Sequence, residues 1–113
     1  MAKVEIVRSL FEEIKKKFKA ESYEIIDLLE SLETSPNKGK LLGTIGGIAI
    51  KELKYNNFRF YLITDGFKIK CINKPELIEA LIKFVRMSDK KHQQQTITEI
   101  KYILKTMGPK GFL

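Results

Sequence analysis

The sequence predicts an α+β domain: an N-terminal helical hairpin, an antiparallel sheet of three to four strands, and a C-terminal helix. Three observations point there. Before Glu33, apolar residues recur at three- and four-residue steps, the period of an amphipathic helix. Between Gly47 and Gly66 the period drops to two, with Asn56-Asn57 where a tight turn is needed and Asp65-Gly66 closing the second run. After Thr96 the helical period returns. At 113 residues the chain predicts one domain, spanning 1–113, large enough for a core without a disulfide or metal staple.

Residues 3–19 read as the first helix, on Val4, Val7, Leu10, Phe11, Ile14 and Phe18. Lys15, Lys16, Lys17 and Lys19 crowd its last turns, where cations suit the negative end of the helix dipole. The same cluster would also suit a nucleic acid. Residues 21–33 read as a second helix, with Ser22 as its N-cap and a broad stripe from Tyr23 to Leu32. The short link makes the pair a helical hairpin. Thr34 to Gly39 is a loop.

Glycines 43, 46 and 47 interrupt the next apolar run, so residues 41–45 read as an irregular edge segment. Residues 48–55 and 58–64 are strands, and 67–72 a further one. Residues 75–87 carry two signals. Leu77, Ile78, Leu81, Ile82 and Val85 fit a helix face, with Asn73 as cap and Pro75 in the first turn. Ile78, Ala80, Ile82 and Phe84 also alternate as a buried strand would. Ser88 to Gln95 reads as a polar loop, Thr96 to Met107 as the last helix, Gly108-Pro109 as its stop and 110–113 as a frayed tail.

The net charge is +7, from 21 Lys and Arg against 14 Asp and Glu. That balance favours an anionic partner, whether nucleic acid, acidic protein or membrane surface. A single cysteine, Cys71, allows no internal disulfide and reads as a small buried residue in a reducing compartment. No apolar run reaches membrane-spanning length, and the N-terminus lacks a signal core, so a cytoplasmic protein without a membrane partner is expected. Gly39, Gly43, Gly46 and Gly47 lack the spacing of a phosphate-binding loop. There is no Cys-x-x-Cys and no histidine pair, so neither a metal site nor a small-molecule cofactor is expected.

The distinctive segment is Gly47-Ile48-Ala49-Ile50-Lys51-Glu52-Leu53-Lys54, followed by Asn57-Phe58-Arg59-Phe60-Tyr61 and Asp65-Gly66. Leu81-Ile82-Lys83-Phe84-Val85-Arg86, then Asp89-Lys90-Lys91-His92-Gln93 and Ile97-Thr98-Glu99-Ile100-Lys101, complete the pattern. From Gly47 onward these resemble the RelE/ParE superfamily of bacterial and archaeal toxins, in particular its HigB-like branch. The helical pair falls where that family places two helices. The stretch from Lys70 to Glu79 departs from it by lengthening one link, and the resemblance favours a strand for the second half of 75–87.

The resemblance implies a RelE-like fold and metal-independent cleavage of mRNA, usually on the ribosome, restrained by an acidic antitoxin protein. It places Arg59 at the family's central-strand arginine and Lys51 and Lys54 at basic positions of the preceding strand. Arg86, Lys90, Lys91 and His92 fall where the family keeps its late catalytic residues, and Lys83 lies just before them. In RNA cleavage through the 2′-hydroxyl, His92 would serve as base or acid. Arg59 and Arg86 would clamp the phosphoryl oxygens, the lysines would add positive charge, and Tyr55 or Tyr61 would stack a base. Each also has a plain alternative: an outward-facing strand arginine, a solvated Lys90-Lys91 loop, an exposed histidine. The competing functional class is a non-catalytic nucleic-acid-binding or regulatory protein on the same fold, and a third is a gyrase-directed ParE-like toxin.

Overall fold

A computed structural model describes residues 3–66 and 81–112. The elements run β1 (Lys3–Ile6), α1 (Arg8–Phe18), α2 (Ser22–Glu30), β2 (Lys40–Ile45), β3 (Ile48–Tyr55), β4 (Phe58–Asp65), β5 (Leu81–Asp89) and α3 (Gln93–Thr106). Short 3-10 turns cover Lys19–Glu21, Ser31–Glu33 and Gly108–Gly111. The strands form one five-stranded sheet in the order β1-β5-β4-β3-β2. Only the β1–β5 pair is parallel.

Two tight hairpins organise β2 to β4. Gly46 and Gly47 join β2 to β3 with φ of 56° and 81°, a conformation open to glycine and costly for other residues. Asn56-Asn57 joins β3 to β4, and Asn56 takes φ 52°, which asparagine tolerates better than most. The register that follows sets Arg59 opposite Lys54 and Tyr61 opposite Glu52.

Strand β4 lies at the middle of the sheet, and its Phe60, Tyr61, Leu62 and Ile63 are all buried. Burial of consecutive strand residues means both sheet faces are covered. Phe58 meets Phe18 of α1 edge to face, with ring centroids 5.0 Å apart, so one face looks toward the helical hairpin. Arg86, opposite Tyr61, bonds Glu99 of α3, so the other face looks toward the C-terminal helix. Leu10, Ile14, Ile25 and Leu29 join Ile100 and Leu104 in one core with β4 and β5. Each such side chain contributes about 2 kcal/mol by leaving water.

Several expectations need correction. The first helix begins at Arg8, because Lys3–Ile6 is a strand with alternating exposure. Val4 and Val7 mimic a helical step across a strand-to-helix junction, and Val7 is the extended N-cap with ψ 148°. Among the described residues the sheet therefore has five strands where three to four were expected. Residues 41–45 are the irregular edge segment expected of them: they lie in β2 at the sheet edge, with a register shift between Leu41 and Gly43, and Gly46 and Gly47 form the turn that follows. Ser22 does not cap α2; its hydroxyl donates to the Lys19 carbonyl at 2.5 Å. Ser88 and Asp89 complete β5, and Gln93 already starts α3, so the polar loop is much shorter than expected. The tail is not frayed throughout, since Phe112 is buried in the core. Of the ambiguous segment 75–87, residues from Leu81 on are strand; its earlier part, the strand expected at 67–72 and Cys71 lie outside the described residues.

Candidate nucleic-acid interface

Strand pairing gathers most of the candidate residues on the α3 face. Lys54, Arg59 and Ser88 form one row across β3, β4 and β5, and Tyr61 stands opposite Arg86 in the next. Lys51 is an exception. Three residues before Lys54, it has the opposite strand parity and pairs with Leu62 on the helical-hairpin face. It is buried, and its Nζ donates to the Asn37 carbonyl at 3.2 Å, tying down the loop before β2. Burial holds its amine below the ordinary lysine pKa.

The α3-face residues divide by accessibility. Arg59 and Tyr61 are buried. Arg59 Nε lies 2.9 Å from Glu52 Oε1, but its N–H does not point along that line, so charge holds the pair. Its Nη1 donates to the Phe58 carbonyl at 3.1 Å, bracing the hairpin turn. The Tyr61 hydroxyl shares a 2.8 Å hydrogen bond with Ser88 Oγ. Burial raises the Tyr61 phenol, outweighing the opposing pull of that bond. Neither side chain is open to solvent.

Arg86 is partly accessible and already engaged. Nε donates to Glu99 Oε1 at 2.9 Å, Nη1 donates to the Val85 carbonyl at 2.8 Å, and the guanidinium stacks 5.2 Å from the Phe112 ring. Lys83 Nζ donates to the Pro109 carbonyl at 3.1 Å, fastening the C-terminal turn.

The open chemistry lies at the hairpin end of the sheet. Asp89, the last residue of β5, stands opposite Phe58 at the start of β4. Its Oδ1 accepts the His92 backbone N–H at 2.9 Å and contacts His92 Nδ1 at 2.7 Å. The ring bond to His92 is the main reason the Asp89 carboxyl sits below its ordinary pKa. With Nδ1–H directed at the carboxylate, the neutral ring presents Nε2 as a bare acceptor. The His92 side chain is 61% exposed. Lys90 and Lys91 between the two are exposed, as is Lys54.

Glu52, Ser88, Asp89 and Glu99 escaped the sequence reading. A two-residue turn at Asn56-Asn57 would already have placed Glu52 diagonal to Arg59, and Asp89 is three residues from His92. Ser88 and Glu99 gave no local signal. Among the described residues, no group of three His, Cys, Asp or Glu side chains is arranged to hold a metal, and no helix is long and apolar enough to cross a membrane. The chain matches no protein-family model, no curated protein and no solved structure.

Proposed function

We propose that this protein is a toxin-type endoribonuclease of RelE-like fold that binds single-stranded mRNA and cleaves it at His92. The observation that carries the reading is the Asp89–His92 pair, bonded at 2.7 Å and flanked by exposed Lys90 and Lys91. His92 Nε2 takes the proton of a ribose 2′-hydroxyl. The 2′-oxygen then bonds the adjacent phosphorus, the bond from phosphorus to the 5′-oxygen breaks, and water protonates the departing oxygen. The products are a 2′,3′-cyclic phosphate and a 5′-hydroxyl. Lys90 and Lys91 stabilise the charge that builds on the phosphoryl oxygens. The +7 charge suits both the RNA and an acidic antitoxin, and the ribosome remains the proposed setting.

A second reading is a non-catalytic nucleic-acid-binding protein on the same scaffold. What favours it is the pairing of both arginines, Arg59 with Glu52 and Arg86 with Glu99. One experiment separates the two. Purified protein is incubated with end-labelled mRNA, with and without ribosomes, and the termini are read by primer extension and mass spectrometry. Cyclic-phosphate ends that vanish in His92→Ala support the nuclease. RNA binding with intact transcripts under both conditions supports the second reading.

A further inference from the structure

We infer that the C-terminal end of α1 continues the RNA surface past the His92 site, with Lys16, Lys17 and Lys19 on successive phosphates and Tyr23 stacking a base. The inference rests on the RNA-binding part of the reading above. Helix dipoles favour cations at this position. That accounts for a lysine in the last turn. It does not account for a cluster running past the helix end.

Three features make the cluster a surface for a single strand. Among the described residues, none of Lys15, Lys16, Lys17 and Lys19 lies within ion-pairing distance of a carboxylate. Burial raises the Glu13 carboxyl, one turn before Lys17, and the charges of Lys17 and Arg86 only partly offset it. Two of the amines rest on rings: Lys15 Nζ lies 4.4 Å from the Tyr23 centroid and Lys17 Nζ 5.2 Å from that of Phe58. Tyr23 is 66% exposed, so most of it remains open. Alternating cations and aromatic faces match the alternating phosphates and bases of single-stranded RNA. An acidic peptide would use the charges and leave the ring idle.

Phe58 links this surface to the proposed site. Phe18 and Lys17 reach it from α1, while its ladder partner is Asp89, which holds His92. The α1 end and the histidine thus flank one residue at the hairpin end of the sheet.

The test is fluorescence anisotropy with a labelled single-stranded RNA of about 12 nucleotides, across a salt series. The triple variant Lys16→Ala/Lys17→Ala/Lys19→Ala should reduce the slope of log K against log salt by about 2, near 0.7 for each lost phosphate contact. Tyr23→Ala should weaken binding at least about 5-fold at every salt concentration. An equal-charge control, Lys101→Ala/Lys105→Ala/Lys110→Ala, should leave the slope nearly unchanged. All changes are at exposed positions except the half-buried Lys101, and circular dichroism checks the fold of each variant. If both triples act alike, net charge alone is at work and the inference is overturned. It is also overturned if Lys90→Ala/Lys91→Ala weakens binding while the α1 triple does not, although the proposed site then survives. Equal loss of binding to polyglutamate or to anionic vesicles overturns the choice of RNA. No RNA binding by the wild type overturns both readings.

Discussion

Arg59 and Glu52 meet diagonally across the β3–β4 hairpin with side chains only 8% and 9% exposed. A pair this deep has given up most of its hydration, and each member now depends on the other. Removing one leaves a buried charge without its counter-ion. Arg59→Ala or Glu52→Ala should each cost about 3–5 kcal/mol, read by urea unfolding. The double replacement Arg59→Met/Glu52→Leu should recover most of that loss. Single-variant costs below about 1 kcal/mol would mean the pair is solvated and Arg59 is available to RNA after all.

Glu99 keeps Arg86 from other anions. Both side chains are partly exposed, so the pair is worth at most about 1 kcal/mol and can be displaced. Glu99→Gln should therefore tighten RNA binding by up to about 5-fold while Arg86→Ala in the parent changes little. Anisotropy titrations of the two single variants and the double variant measure this. Unchanged affinity in Glu99→Gln would show that Arg86 stays bound to Val85 and Phe112 and takes no part.

Acid titration should reveal the Asp89–His92 bond. The Asp89 carboxyl is held below its ordinary value, chiefly by its bond to the His92 ring. A depressed acid stabilises the fold above its unfolded value and loses that contribution as pH falls through the lowered one. The stability gap between wild type and Asp89→Asn should be full at neutral pH and should close at strongly acidic pH. Thermal unfolding across that range checks it, and a gap independent of pH would contradict the bond. In the nuclease reading, Asp89→Asn should also alter the pH–rate profile, because a neutral amide in place of the carboxylate would no longer favour a proton on Nδ1.

Tyr55 offers a test at the alkaline end. Its phenol is pushed up to about 12, first by the hydrogen bond to Glu21, with Glu24 adding charge nearby. A raised phenol contributes stability below its unfolded value, and that contribution is lost as pH rises through the folded one. Ultraviolet titration should show a late phenolate step near 12 that disappears in Tyr55→Phe and moves back toward 10 in Glu21→Gln. If the step stays put in Glu21→Gln, the carboxylate is not its cause.

Much of this architecture was legible, and the misses have physical reasons. The β3–β4 hairpin could be read because alternation and turn chemistry are local. Parity alone would have separated Lys51 from Lys54, since strand side chains alternate faces. The strand at Lys3–Ile6 was hidden because its partner, β5, is remote in the chain, and four residues leave little periodicity. Phe112 was unreadable for a similar reason: a lone aromatic after a Gly-Pro stop gives no sign of the core it enters. The site was half legible. His92 and its lysines could be picked by residue type, but the carboxylates that engage Arg59 and Arg86 sit on other elements and appear only once the chain is folded.

The parallel pairing of β1 with β5 bears on how the chain is made. Lys3 must find Leu81, so β1 has no strand to pair with until β5 has been added. The β2–β4 meander, closed by two-residue turns, can assemble while β1 waits. β1 thus cannot complete its pairing before β5 is in place. A bulky fusion ahead of Lys3 should slow that pairing more than the same cargo placed after α3.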